Sequence, residues 1–302
     1  MDRDNNFEVI IIGGSYAGLS AAMALGRSLR KVLIIDSGMP CNRQTPHSHN
    51  FITQDGVKPS EIAAKAKSQV LKYNTVQFLE DTAVKGEKIG ESFLVNTASG
   101  KQFIANKIIF GTGIKDIMPD IKGFSDCWGI SVVHCPYCHG YEIRHKKTGI
   151  LANGDKAVHL ASLVHNLTEE LSIICSGKAD FTSDQLLKFE KHQITLIEKE
   201  VAEVVHDKGQ IKKVVFKDRS EEDFEALYAA LPFSQHSDIP ASLGCELGED
   251  GFIKVDGMQR TNIDGVYACG DNSSGMRSVA NSVAKGNVAG AVVNMELILE
   301  KF

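Results

Sequence analysis

Val9-Ile10-Ile11-Ile12-Gly13-Gly14-Ser15-Tyr16-Ala17-Gly18 is the stretch that decides the fold of this chain. Its four apolar, β-branched residues read as a strand buried on both faces. The glycine cluster reads as a tight turn, and the Ala- and Leu-rich stretch that follows, as far as Leu29, reads as a helix. A second apolar run, Val32-Leu33-Ile34-Ile35, ends on Asp36 and completes a β-α-β unit. Such a turn aims backbone amides and the positive end of a helix at a pyrophosphate, and an acid closing the second strand can accept from a ribose hydroxyl. The middle glycine of the Gly-x-Gly-x-x-Gly pattern is replaced by Ser15, so the approach to phosphate must tolerate a small side chain. Gly13, Gly14, Ser15, Tyr16, Ala17, Gly18 and Asp36 are therefore the expected dinucleotide-binding residues.

Outward from this unit, a polar loop at 41–56 carries Arg43, His47 and His49, and a helix is expected over 59–72. Strands are expected at 76–79, 93–95 and 104–110, the last ending in Gly111-Thr112-Gly113. A second β-α-β candidate starts at Gly149: strand 149–152, turn Asn153-Gly154-Asp155, helix 156–167 and strand 171–175. Further strands are expected at 194–197, 211–216 and 226–231, with Pro232 and Pro240 marking a crossover. The stretch 251–271 and a helix over about 277–299 close the chain. The fold class is α/β, with two nucleotide-binding, Rossmann-like three-layer domains.

At roughly 150 residues per domain, 302 residues make about two domains. Hydrophobic residues at 43% and charged residues at 24% are globular values and argue against disorder. Thirty-eight acidic against 33 basic residues give a net charge of −5, which excludes a general attraction for nucleic acid or an anionic membrane. No apolar run approaches the ~20 residues of a membrane span, and the polar residues 1–7 are followed by no signal-type apolar region, so a cytoplasmic location is expected. Seven cysteines include five that stand alone, Cys41, Cys127, Cys175, Cys245 and Cys269, which read as small buried residues rather than a disulfide framework.

Two further motifs carry chemistry. Tyr267-Ala268-Cys269-Gly270-Asp271 reads as a buried strand delivering a carboxylate to a hydroxylated chain such as the ribitol of FAD, with a helix start behind it. Cys135-Pro136-Tyr137-Cys138-His139 has four readings. Its Cys-x-x-Cys-His spacing matches haem attachment, which belongs with an exported chain. A zinc site lacks a second cysteine pair. A glutaredoxin-like domain needs room that the unit starting at Gly149 does not leave. Dithiol exchange with a flavin is the reading these residues favour, because two sulfurs at this spacing close a reversible disulfide and a helix start lowers a thiolate pKa. His47 and His49 read as solvated or hydrogen-bonded loop histidines, with no accompanying carboxylate-histidine cluster, and no metal site is expected.

With these motifs in this order, the sequence from about Phe7 to Leu299 resembles the low-molecular-weight thioredoxin reductases. The resemblance implies a discontinuous FAD domain, residues 1–117 and 240–302, and an inserted pyridine-nucleotide-type domain, 118–239, carrying the redox pair. By position it implies FAD contacts at Gly14, Ser15, Tyr16, Ala17, Asp36, Arg43, Asn50, Val84, Asp271, Ser278 and Val279, beside Gly111, Thr112, Gly113 and Gly270. It implies that Cys138 faces the flavin, that Cys135 exchanges with a thioredoxin-like protein or a small dithiol or disulfide, and that the enzyme is a homodimer. His139 occupies the place of the family's proton-donating Asp, with Glu142 as a second candidate; an imidazole of pKa near 6.5 suits proton transfer at neutral pH. The chain departs from the reductases at Ala152-Asn153-Gly154-Asp155-Lys156-Ala157, which lacks their first turn glycine. It departs again at Cys175-Ser176-Gly177-Lys178, which lacks their arginine cluster for a 2′-phosphate. NADPH is thus expected to serve poorly. The Cys-Pro-Tyr-Cys-His-Gly-Tyr-Glu run is similar to an offshoot of the family that includes gliotoxin-type dithiol oxidases and reductases fed by electron carriers such as ferredoxin.

Overall fold

The structure, a computed structural model, describes residues 5–302. The opening unit is β1 (Asn6–Ile12), α1 (Tyr16–Arg27) and β2 (Val32–Asp36), with β1 and β2 parallel and Ile12 opposite Ile35. Pro59, whose fixed φ suits a first helical turn, starts α2 (Pro59–Val70), which leads to β3 (Val76–Glu80), parallel to β2. An antiparallel pair, β4 (Ala83–Ile89) and β5 (Ser92–Thr97), precedes β6 (Gln102–Phe110), which returns to the centre beside β1. The sheet order is β3-β2-β1-β6-β5-β4. Its central strands are apolar on both sides because one face packs on a cluster with Leu25, Val32 and Ile109, and the other on Ile10, Ile35 and Ile108.

After β7 (Ile114–Asp116) come α3 (Phe124–Cys127), β8 (Val132–Val133), α4 (Pro136–His139), β9 (Thr148–Leu151), α5 (Gly154–Val164), β10 (Leu171–Ile174), α6 (Ser183–Lys191) and β11 (Thr195–Ile197). An antiparallel set, β12 (Val201–Asp207), β13 (Gln210–Phe216) and β14 (Glu221–Asp223), then gives way to β15 (Ala226–Ala229). The second parallel sheet has the order β11-β10-β9-β15-β8. The chain continues through β16 (Phe233–Gln235), α7 (Ile239–Ser242), β17 (Val266–Ala268) and the long α8 (Val279–Leu299), and β17 joins the first sheet beside β6.

Two compact units result. The first holds the residues up to Arg43, Phe51–Lys115 and Phe233–Phe302; the second holds Gln44–Asn50 and Asp116–Pro232. The sequence reading divides the chain at 117/118 and 239/240, a few residues from these borders, and counts 44–50 with the first domain. Residues 1–4 of that domain lie outside the described residues. Among the described residues no helix is long and apolar enough to cross a membrane. The helix expected over 156–167 runs instead from Gly154 to Val164, and α6 occupies a stretch, between 175 and 194, where no element is expected. Phe189 is the buried residue of α6, and a Thr182–Gln185 capping box starts the helix, so its apolar signal is faint. β4 and β12 are mostly half-buried or exposed, and their mixed composition hid them.

The first unit is joined by the packing of α1 on α8. A Cβ on Gly286 would lie 2.0 Å from the Ala17 carbonyl oxygen, and one on Gly290 2.5 Å from that of Ala21, so only glycine lets the two backbones approach this closely. Ser20 Oγ donates to the Val283 carbonyl at 2.7 Å across the same contact. Alanine in an open helix position stabilises by up to about 1 kcal/mol over glycine. Here the clash is with backbone, so Gly286→Ala is expected to destabilise by about 1–3 kcal/mol, read as a lower midpoint in urea unfolding. A midpoint at or above the parent's would contradict the close packing.

Candidate active site

The first unit gathers one set of the expected residues around the β1–α1 turn. Gly13 has φ +103°, and a Cβ there would lie 2.3 Å from the Gly111 carbonyl oxygen; at Gly18 it would lie 1.8 Å from the Gly13 carbonyl oxygen. These two glycines let the turn, the α1 start and the end of β6 pack together. Ser15 has φ −91°, an ordinary extended conformation, which is why a serine is accepted at that position; its hydroxyl makes no capping bond to α1. Asp36 Oδ1 accepts from the Gly14 amide at 2.8 Å and Oδ2 from Gly38 at 3.1 Å, so the carboxylate shapes the turn and keeps acceptor capacity for a hydroxyl. The Tyr16 hydroxyl donates to the Pro59 carbonyl and accepts from Asn42, and burial pushes its pKa up.

Gly270 lies against Ala17, where a Cβ would come within 3.0 Å of the alanine methyl. Asp271 accepts from Ser282 Oγ at 3.3 Å and lies 3.8 Å from Arg277 Nε. Ser278 caps α8 by accepting from the Asn281 amide at 3.1 Å, with Val279 as the first helical residue. Arg43 is on an exposed turn, donating to the Pro40 carbonyl, and Val84 is exposed on β4. Asn50 belongs to the second unit and is not among the residues of this turn.

Asn272 was missed by the sequence reading. It is fully buried and donates through Nδ2 to the Phe110 carbonyl at 2.8 Å and to Thr112 Oγ1 at 3.1 Å, joining the Gly-Thr-Gly end of β6 to the Gly-Asp turn. Its backbone carbonyl accepts from Gln235 Nε2, while its own Oδ1 is buried without a partner. A buried acceptor left unsatisfied costs stability unless a ligand or water donates to it. This orphan, with the uncapped Ser15 and the acids Asp36 and Asp271, fits a cofactor bearing a pyrophosphate, ribose-type hydroxyls and N–H donors. The only sequence signal was a polar residue directly after Gly-Asp.

The second unit holds the cysteine pair. Cys135 and Cys138 are disulfide-bonded, with Cα atoms 5.3 Å apart. Cys135 is the N-cap of the short α4, its Sγ accepting from the Cys138 amide at 3.1 Å. Gly140 ends this turn where a Cβ would meet the Pro136 carbonyl at 2.4 Å and the Tyr228 hydroxyl at 3.2 Å. Four of the other cysteines are buried and their thiols are raised, Cys127 to about 11 and Cys269 to about 12, mainly by desolvation. Cys41 departs from the expected burial: it is exposed in the polar loop, 3.8 Å from Asp271 Oδ2.

His139 is held down to about 4, first by burial and then by the nearby His49. At neutral pH it is therefore an uncharged ring, not the partly charged group that an unperturbed pKa near 6.5 gives. His49, expected as a solvated or hydrogen-bonded loop residue, has Nδ1 3.5 Å from Glu142 Oε1, its side chain 19% exposed.

The second nucleotide-type turn departs from the first. Ala152 does not adopt a positive φ; the left-handed residue is Gly154, at +57°. Asn153 Oδ1 accepts from the amides of Gly154 and Asp180, both at 3.0 Å, and Nδ2 donates to the Lys178 carbonyl at 2.8 Å. Asn153 thus ties the turn to the loop after β10, and Asp155 adds an acid to the first turn of α5. This is a poor cradle for a pyrophosphate or a 2′-phosphate.

The family model for pyridine nucleotide-disulphide oxidoreductases matches residues 7–286. The chain is 31% identical over 311 residues to the thioredoxin reductase tcpT of Claviceps purpurea, covering 99% of this chain and 97% of that one. It is 30% identical over 309 residues to the thioredoxin reductase sirT of Leptosphaeria maculans, with 97% and 94% covered. Among solved structures, an oxidoreductase from Agrobacterium tumefaciens superposes with a TM-score of 0.91 at 33% identity, covering 98% of this chain and 100% of that one.

The depressed His139 makes a pH prediction. The unfolded chain binds one more proton than the folded one between pH about 6.5 and about 4. This site's contribution to stability is therefore complete above about 6.5 and is lost as pH falls toward 4. By NMR the His139 ring is expected to titrate near pH 4, and His139→Gln to flatten the pH dependence of unfolding over that interval. A His139 midpoint near 6.5 would contradict the burial argument.

Proposed function

The chain belongs to the pyridine nucleotide-disulphide oxidoreductase family, and from that premise we propose an FAD-dependent thiol-disulfide oxidoreductase in which Cys135 and Cys138 trade an electron pair with a dithiol or disulfide. The observation that carries this reading is the bridged cysteine pair at the lip of α4 beside an uncharged His139. FAD, when bound, supplies a two-electron acceptor and donor. The turn Gly13-Gly14-Ser15-Tyr16-Ala17-Gly18 and the α1 start would hold its pyrophosphate, Asp36 its ribose, Asp271 its ribitol, and Asn272 Oδ1 would accept from one of its donors. Thr112, Ser278 and Val279 frame this place, and Arg43, Asn50 and Val84 are proposed further contacts. In this reading the first unit is the FAD domain, and the second is a pyridine-nucleotide-type domain adapted to present the cysteines.

Cys135 is proposed as the sulfur that exchanges with the outside partner and Cys138 as the one that works with the flavin. The partner would be a thioredoxin-like protein or a small dithiol. Because the second turn lacks the first glycine and the arginine cluster, and carries Asp155 at the start of α5, a dithiol or a reduced carrier protein is favoured over NAD(P)H as electron source. A cytoplasmic homodimer is proposed by likeness to the thioredoxin reductases, and sedimentation would read the dimer.

Two measurements check this account. Each lost arginine contact is a charge-assisted bond worth about 1.5–3 kcal/mol. NADPH and NADH are thus expected to bleach the flavin slowly and about equally in anaerobic rapid mixing, and a suitable dithiol to bleach it fast; millisecond bleaching by micromolar NADPH alone would overturn the donor assignment. The cysteines are also expected to be inequivalent. Cys135→Ser should leave a Cys138 thiolate and a long-wavelength absorption band in the holoprotein, whereas Cys138→Ser should not. Identical spectra would contradict the division of roles.

A further inference from the structure

Residues Gln44–Asn50 belong to the second unit although the chain on either side, to Arg43 and from Phe51, belongs to the first. The excursion is packed in place: a Cβ on Gly129 would lie 3.1 Å from Thr45 Oγ1, and Ser48 is buried. What it delivers is His49. Glu142 holds the His49 ring through Nδ1 at 3.5 Å, and the Glu142 amide donates to the His139 carbonyl at 3.2 Å, so the carboxylate is fixed to the same turn that carries His139. The Glu142 side chain is 39% exposed and that of His49 19%, so the carboxylate is the more open to solvent of the two. On the inner side, the Tyr228 hydroxyl of β15 is buried without a partner beside Gly140, and it feels the Glu142 charge. His47, whose ring lies 6.4 Å from that of His49, is the remaining titratable neighbour on the loop.

We propose that His49, oriented by Glu142, is the proton exit of the dithiol site, relaying to solvent the proton that His139 removes from an incoming thiol. The inference rests on the dithiol-oxidising reading above. In the step concerned, a substrate S–H gives its proton to the neutral His139 as its sulfur bonds to Cys135 Sγ. The Cys135–Cys138 bond breaks, and its electron pair stays on Cys138 Sγ. The second substrate thiol then loses its proton, its sulfur closes the substrate disulfide, and Cys135 leaves as a thiolate. Substrate loses two electrons and two protons; the cysteine pair gains the electrons, and the protons go to the thiolates or outward. Desolvation leaves the His139 ring uncharged and free to accept, and makes it a weak base that holds the proton only briefly, so the proton must be passed on. His49 and Glu142 supply the next acceptor and a counter-charge. His49 acts through His139 and is therefore a positioning residue.

The test is anaerobic rapid mixing of the FAD-loaded protein with dithiothreitol from about pH 5 to 9, following flavin bleaching in the parent, His49→Asn and Glu142→Gln. General acid–base relays contribute about a hundredfold or more. His49→Asn is expected to keep its FAD content, to lose about ten- to a hundredfold in rate near neutral pH, to change the pH profile, and to regain rate with added imidazole. Glu142→Gln, nearly isosteric, should lose less and displace the profile in the same sense; it carries the test if His49→Asn does not fold. Parent-like rates and pH profiles in the variants would overturn the proposal. So would a loss with an unchanged profile and no imidazole rescue, since that is how a merely structural role behaves. If the parent itself is not bleached by the dithiol, the underlying functional reading falls, and the relay with it.

Discussion

The close approach of α1 and α8 is the constraint on which the first unit depends. Gly286 and Gly290 bring α8 onto the carbonyls of Ala17 and Ala21, and with it the far end of the chain onto the first β-α-β turn. That contact places Gly270 against Ala17 and sets Asp271 within reach of Ser282 on the same helix. A dinucleotide turn alone binds a phosphate; the turn joined to the Gly-Asp segment can hold a longer ligand along both. Asn272 extends the joint to the end of β6, with its own side-chain oxygen buried and unsatisfied.

The second unit is governed by burial. The same desolvation that raises the Cys127 and Cys175 thiols keeps the His139 ring uncharged. The cysteine pair is set apart from the other sulfurs of this unit by position: Cys135 caps a short helix and is bonded to Cys138 within it, whereas Cys127 and Cys175 are raised inside packed layers. The Asn153 staple shows the opposite use of a polar side chain. It satisfies the amides of Gly154 and Asp180 and the Lys178 carbonyl, so the sheet and helix of a nucleotide fold persist while the turn is tied to the loop after β10.

Much of this was legible because the central strands are buried on both faces. Runs such as Val9-Ile10-Ile11-Ile12 and Val32-Leu33-Ile34-Ile35 carry an unbroken apolar signal, and Gly13 and Gly18 carry the turn. The Cys135/Cys138 pair was legible for a different reason, since sulfur spacing is a chemical and not a periodic signal. Strands β4 and β12 were not, because exposed edges tolerate charge and lose their alternation. Neither His49 nor Asn272 could be ranked from sequence. The role of His49 depends on segment 44–50 crossing to the other unit, and that of Asn272 on a hydrogen bond to Phe110, 162 residues away. Both are long-range facts with no local signature. The lowering of His139 from the unperturbed imidazole value is of the same kind, because desolvation in the fold and His49, from another stretch of chain, cause it.

The central claim is that the cysteine pair and a bound flavin form one redox system. The direct measurement is an anaerobic reductive titration of the FAD-loaded protein with dithionite, counting electrons taken up per flavin. The account predicts one electron pair for the flavin and a second for the Cys135–Cys138 disulfide in the parent, and only the flavin's pair in the Cys135→Ser/Cys138→Ser double variant. Equal uptake by the two proteins would contradict it.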